Sequence, residues 1–287
     1  MQSPIRSDSR SSTRQTLLVA IYFMNKLLGQ NWLINPKIHQ EIIKAGEIGE
    51  NDTVLEVGPG TGLLTTPLAQ TGAQIIAVEK DSRLAAELNH RFGDYKNVRI
   101  IQGDILKFDP KNYKLQAGSY KVIGNLPYYL TSHLIRSLLE DWRKPQLAVF
   151  MVQKEVAQRM IAKPPAMNML GLAVQWYAQA EIITVVAKGN FRPVPKVDSA
   201  IIKIVPQPLS AEKSQLTPFL FKIARAGFAG KRKQLANSLA NGLSIPKADL
   251  EQVFQKTNLD GRRRPETLSI PEWLKLSSAL SSLLPAD

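Results

Sequence analysis

The tightest constraint on this chain is the run Thr53–Gly62, TVLEVGPGTG, in which a strand-forming segment enters a turn with glycine at every second position. No Cβ projects at Gly58, Gly60 or Gly62, so the backbone can turn sharply and a ligand can lie against it. A helical pattern over Leu63–Gln70 follows, and Glu79 closes the next apolar run, 19 residues beyond Gly60. A carboxylate there is placed to accept hydrogen bonds from both hydroxyls of a ribose. Strand, glycine turn, helix and acid together indicate a nucleoside cofactor. The spacing G-x-G-x-G departs from the dinucleotide pattern G-x-G-x-x-G. S-adenosylmethionine fits this turn, while NAD, FAD and a turn that binds nothing remain as alternatives.

Strand-length apolar runs recur at Thr53–Val57, Ile75–Glu79, Val98–Gln102, Lys121–Gly124, Leu147–Val152, Ile182–Val186 and Ala200–Ile204. Helical stretches such as Ser82–Phe92 separate the early ones. That alternation predicts an α/β, doubly wound domain with a mainly parallel sheet and helices on both faces. At Pro206–Ser210 the sequence turns Pro-rich and polar, and afterwards no strand pattern returns. The expected division is a sheet domain over 25–208 and a helical domain over 209–287.

The 37 Lys+Arg against 24 Asp+Glu give a net charge of +13, which selects a polyanionic partner such as nucleic acid. Residues 211–287 hold 12 basic and 7 acidic side chains. Two clusters there, Lys231-Arg232-Lys233 and Arg262-Arg263-Arg264, are candidate RNA contacts, with a solvated helix face as the plain alternative. The absence of cysteine removes disulfides, thiolate zinc sites and a Cys nucleophile. His39, His90 and His133 lack ligand spacing, so no metal is expected. The apolar run Leu17–Met24 is too short to span a bilayer. Residues 1–24 read as a disordered arm or as an extension ahead of a start at Met24, with a transit peptide as the alternative.

Two further strand ends carry chemistry. Gly103-Asp104 follows the third strand, where an Asp can accept a hydrogen bond from an adenine amino group or merely cap a turn. The fourth strand ends in Asn125-Leu126-Pro127-Tyr128. An exocyclic amine on adenine is a poor nucleophile because its lone pair is delocalised into the ring. An Asn carbonyl and a loop backbone carbonyl can both accept from that amine and turn its lone pair towards an electrophilic methyl. Pro127 stiffens the loop and removes a competing donor, and Tyr128 offers a stacking face for an extruded base. Catalysis of this kind rests on positioning and electrostatics and needs no strong general base.

With these motifs, together with Gly29-Gln30-Asn31-Trp32-Leu33 and the run Phe191–Ala200 (FRPVPKVDSA), the chain resembles the KsgA/RsmA-type ribosomal RNA adenine dimethyltransferases. The resemblance runs from Gly29 to about Pro206 and, less distinctively, through the tail. It implies a Rossmann-like, seven-stranded class I methyltransferase domain with a small C-terminal helical domain that orients RNA. It implies S-adenosylmethionine as cofactor, with Asn31, Leu33, Gly58, Gly60, Glu79, Asp104 and Asn125 against it and Trp32, usually Phe in the family, walling its methionine end. Phe191 would face Tyr128 across the target base. The implied reaction is dimethylation of N6 on two adjacent adenines in a hairpin near the 3′ end of small-subunit ribosomal RNA. The implied setting is an assembling 30S particle in the cytoplasm, with a monomeric enzyme. Erm-type methylation of large-subunit RNA and reuse of the fold as an assembly or transcription factor are the alternatives. The intact Asn125–Tyr128 element argues against the latter. Basic residues usual before the Gly-Gln-Asn element are reduced to Lys26 here.

Overall fold

The structure, a computed structural model, describes residues 31–127, 130–230 and 233–284. The expectations for residues 1–24, and those for Lys26, Gly29, Gln30, Tyr128, Lys231 and Arg232, lie outside the described residues.

The strands in chain order are β1 (Trp32–Leu33), β2 (Thr53–Val57), β3 (Gln74–Glu79), β4 (Val98–Gln102), β5 (Lys121–Asn125), β6 (Leu147–Gln153), β7 (Ala178–Val186), β8 (Phe191–Arg192) and β9 (Ser199–Pro206). Seven of them form one sheet in the order β4-β3-β2-β5-β6-β9-β7. The pairings among β4, β3, β2, β5 and β6 are parallel, and β9 runs antiparallel to both its neighbours. These seven are the strands read from the apolar runs. The largest departure is β7, which begins at Ala178 rather than Ile182. As an edge strand it alternates partly buried and exposed residues, so Gln179 and Glu181 face solvent and break the apolar signal.

The helices are α1 (Pro36–Ala45), α2 (Thr65–Ala69), α3 (Ser82–Phe92), α4 (Thr131–Arg136), α5 (Lys154–Met160), α6 (Met169–Tyr177), α7 (Ala211–Phe228), α8 (Leu235–Leu243), α9 (Lys247–Thr257) and α10 (Ile270–Ser281). Helix α2 starts two residues later than its apolar pattern suggests, because Gly62 at φ +75° holds the chain in a left-handed turn first. Within the run Asn31–Leu33, Trp32 and Leu33 form β1. Pro36 disfavours the helical region for the residue before it, and Asn35 becomes the N-cap, accepting from the Lys37 N–H at 3.0 Å.

Alternate side chains of the central strands bury against opposite helix layers. Val54, Ile75, Ala77, Ile123 and Val149 pack with Ile42 and Ile43 of α1 and Leu68 of α2. Leu55, Val57, Val122, Phe150 and Ile202 pack with Leu134 of α4 and Trp176 of α6. Full burial of side chains of this size stabilises by about 1.5–3 kcal/mol each. After Pro206 the described residues are helical and strand-free. Packing nevertheless crosses that point: Tyr177 stacks on Phe221 at 5.8 Å, Trp176 Nε1 donates to Thr217 Oγ1 at 3.0 Å, and the Met167 N–H donates to the Glu266 carbonyl at 3.0 Å.

Candidate active site

Parallel strands β2, β3, β4 and β5 all end on one sheet edge, and the order reverses between β2 and β5, which opens a crevice above them. Into it project the glycine turn after β2, Glu79 at the end of β3, Asp104 beyond β4 and Asn125 at the end of β5. One cavity is lined by Asn31, Leu33, Gly58, Gly60, Glu79, Asp104, Asn125, Pro127 and Phe191, residues drawn from six separate stretches of sequence. Tyr128 lies outside the described residues, so of the two aromatic faces only Phe191 is placed, 2% exposed in the cavity wall.

The glycine turn fits a ligand laid against it. Gly58 (φ +63°) has open space where a Cβ would stand, and Gly60 (φ +60°) has the Trp32 ring 1.9 Å from that position. A side chain at Gly58 would fill the cradle, and one at Gly60 would collide with its wall. Glu79, 4% exposed, is pinned by two backbone donors: the Gly60 N–H reaches Oε2 at 3.0 Å and the Asp81 N–H reaches Oε1 at 2.9 Å. Each oxygen keeps a lone pair for a further donor, which is what recognition of a ribose diol requires. Asp104 accepts from the Leu106 N–H at 3.1 Å and pairs with Lys80 at 2.9 Å, so it both caps a short turn and presents charge to the cavity. The Lys80 ammonium holds its carboxyl below the ordinary range.

At the other end of the cavity, Asn125 Nδ2 donates to the Asn31 carbonyl at 3.2 Å. That bond fixes the amide's orientation and leaves Oδ1 available as an acceptor. The Pro127 carbonyl already accepts the Leu130 N–H at 3.0 Å. The Leu126 carbonyl has no such internal partner among the described residues, which makes it the candidate loop acceptor for an amine. The short β1–β8 ribbon, pairing Leu33 with Phe191 and Trp32 with Arg192, joins the cofactor wall to the aromatic face. Asn35 Nδ2 donates to Asn190 Oδ1 at 2.7 Å and reinforces the joint.

Glu56 and His39 line the cavity as well, beyond the residues that the sequence pattern marks. Glu56 is 1% exposed, and its Oε2 has no hydrogen-bond partner among the described residues. Burial pushes its carboxyl up to about 8, with the Thr65 hydroxyl opposing and the Glu79 charge reinforcing the rise. The signal was present in TVLEV, where a lone acid interrupts a strand otherwise buried on both faces. His39 is 5% exposed, and burial lowers its pKa from the usual value, with the Leu33 backbone opposing. Nothing in its spacing announces that position.

The basic clusters lie elsewhere. Arg263 is drawn into the fold: its guanidinium pairs with Glu272 at 2.5 Å and donates to the Thr267 carbonyl at 2.5 Å. Arg262 pairs with Asp260 at 3.2 Å, while Arg264 approaches Glu266 only to 4.0 Å. Of the Lys231–Lys233 cluster, only Lys233 is described, and it is exposed.

The sequence profile of the family described as "Ribosomal RNA adenine dimethylase" matches residues 23–276. Ribosomal RNA small subunit methyltransferase A of Dehalococcoides mccartyi is 45% identical over 252 residues, 88% of this chain and 86% of that protein. Among solved structures, a dimethyladenosine transferase from Plasmodium falciparum superposes with a TM-score of 0.72 at 29% identity, covering 87% of this chain and 97% of that one. The 23S rRNA methyltransferase ErmE superposes with a TM-score of 0.68 at 25% identity, covering 87% and 99%.

Proposed function

The chain belongs to the ribosomal RNA adenine dimethylase family, and from that membership we infer that it dimethylates N6 of adenine in small-subunit ribosomal RNA, with S-adenosylmethionine as cofactor. The observation that carries the site assignment is Asn125, held by the Asn31 carbonyl with its own carbonyl free, on the same cavity as Glu79 and the glycine turn.

S-adenosylmethionine, when bound, supplies a methyl group on a sulfonium sulfur. Asn31, Leu33, Gly58, Gly60, Glu79 and Asp104 are the residues proposed to hold it, Glu79 through the ribose hydroxyls and Asp104 at the adenine end. Asn125 Oδ1 and the Leu126 carbonyl accept from the two N–H groups of the target amine, so its lone pair points along the line of transfer. Phe191 supports the face of the extruded base, and Tyr128 is proposed to close on the other. The alkylated amine gives its proton to water, because its acidity rises sharply once the nitrogen carries a fourth substituent. Two successive transfers at one site require that the spent cofactor be exchanged for a fresh one and that the product amine turn in the pocket.

Two adjacent adenines in a hairpin near the RNA 3′ end, within a partly assembled 30S particle in the cytoplasm, are the proposed target of a monomeric enzyme. An Asn-Pro pocket recognises an adenine but cannot choose one among thousands. Shape and phosphate contacts must select it, and the helical domain over 209–287, with Lys231, Arg232, Lys233, Arg262 and Arg264, is the proposed selector. Labelled methyl is offered to pre-30S particles, large-subunit particles and naked RNA, and the digested RNA is chromatographed for N6,N6-dimethyladenosine. Label concentrated in the small-subunit particle is the expected result. Preferential labelling of large-subunit RNA would establish the Erm-type activity instead.

A further inference from the structure

A second cleft lies between the start of α5 and the segment 188–198 that carries Phe191. It is lined by Lys154, Glu155, Gln158, Lys188, Lys196 and Asp198. Its two walls are joined through Asp198, whose carbonyl accepts the Lys154 N–H at 3.0 Å and whose Oδ1 accepts the Lys188 N–H at 3.0 Å. Half of the Asp198 carboxylate is therefore engaged by backbone. None of the three lysine ammonium groups meets a carboxylate within ion-pair distance among the described residues. Other exposed cations, such as Arg136 with Glu140 and Arg262 with Asp260, do.

The cleft adjoins the reacting cavity. Ser199, next to Asp198, and Met151, three residues before Lys154, both line that cavity, as does Phe191 between Lys188 and Lys196. Three residues of strand span about 10 Å. A base drawn into the cavity leaves its own sugar and phosphates, and those of its neighbours, outside the mouth. The lysines stand in the zone those phosphates must cross. Val194 and Val197, 53% and 44% exposed on the same segment, add an apolar ledge for a sugar or base face.

Building on the RNA-methylating reading above, we propose that the cleft formed by Lys154, Lys188 and Lys196 binds the phosphodiester backbone of the RNA strand beside the extruded adenosine. Its contribution is to positioning, since phosphate contacts set register without reading sequence. The loop that supplies the aromatic face thereby also grips the strand being presented to it.

The test uses the full chain and a small-subunit ribosomal RNA transcript, with anisotropy titrations across a salt series. Lys188→Ala/Lys196→Ala should flatten the slope of log K against log salt by about 1.4, two contacts at roughly 0.7 each on a single strand. Affinity for S-adenosylmethionine, measured by calorimetry, should stay unchanged, which also reports that the variant is folded. Glu155→Lys should do the reverse, steepening the slope by about 0.7 and tightening binding. Wild-type slopes in both variants would overturn the proposal. If Lys188→Ala/Lys196→Ala fails to fold, Glu155→Lys alone decides. A wild-type protein that places no methyl on ribosomal RNA would sink the underlying reading, whereas methylation of RNA with unaltered slopes sinks the cleft alone.

Discussion

The sheet edge and the helical tail treat their charged groups in opposite ways. At the sheet edge Glu56 is buried with, among the described residues, an unpartnered oxygen and no cation beside it, and its carboxyl is pushed up to about 8. In the tail Glu272 is gripped by the Arg263 guanidinium and by the backbone and hydroxyl of Ser269, and its carboxyl is drawn down to about 2. The difference separates two uses of one residue type. An acid left unsatisfied in a cavity costs stability that a proton or a ligand can recover. An acid fully bonded to its own chain is structural. The same distinction divides the basic residues: Arg263 is committed to the fold, while Lys154, Lys188 and Lys196 are not.

The largest effect expected from testing this contrast is at Asn125. Asn125→Ala should slow methyl transfer in single-turnover assays by roughly 10²–10³-fold, as loss of an oriented polar group at a reacting centre does. Cofactor affinity should change far less, and a rate within about threefold of wild type, ~0.7 kcal/mol, would remove the assigned role. Glu79→Ala comes next. It should weaken S-adenosylmethionine binding by about 1.5–3 kcal/mol, the worth of hydrogen bonds to a charged acceptor. Calorimetric titration measures it, and comparable binding of NAD by the wild type would contradict the cofactor assignment.

On the tail side, Arg263→Ala should lower unfolding free energy by about 1–2 kcal/mol, the charged hydrogen-bond value discounted for partial exposure. Glu272 is depressed from 4.5 to about 2, so its contribution is present above pH 4.5 and lost as pH falls towards 2. Denaturant melts of wild type and variant should therefore converge in acid. Equal stability at pH 7 would return Arg263 to the RNA-contact reading.

Glu56 titrates with the opposite sign. Its folded pKa is raised, so the folded state binds the extra proton between pH 4.5 and about 8, and stability from this group falls as pH rises through that window. Glu56→Gln should raise the melting temperature at pH 8 more than at pH 5. An identical increment at both would show that the carboxyl is not strained by burial. The smallest effect is expected at Arg264, whose ion pair is long and exposed. Arg264→Ala should change stability by under about 0.5 kcal/mol while reducing the salt dependence of RNA binding.

The seven sheet strands, the glycine turn and the acids at their ends were all legible in the chain, because buried parallel strands need continuous apolar runs and a turn against a ligand needs glycine. The short ribbon of Trp32–Leu33 with Phe191–Arg192 was not, since a two-residue strand carries no periodicity and its partner lies more than 150 residues away. The burial of His39 and the capture of Arg263 were equally silent. One depends on which helix face meets the sheet, the other on Glu272 returning nine residues later across a turn.

By itself, then, the sequence determined the fold class, the strand inventory and the chemical character of the site, because those follow from local apolar patterning and from residue types at fixed offsets along the chain. Only the tertiary structure decided which polar groups are left available. Among the described residues it orients the Asn125 amide against the Asn31 carbonyl, closes the Pro127 carbonyl while leaving that of Leu126, strands Glu56 without a cation, and sets three lysines on one cleft with the segment that carries Phe191. Availability is a property of neighbours in space, and side chains that compete for one partner are brought together by the fold from distant parts of the chain.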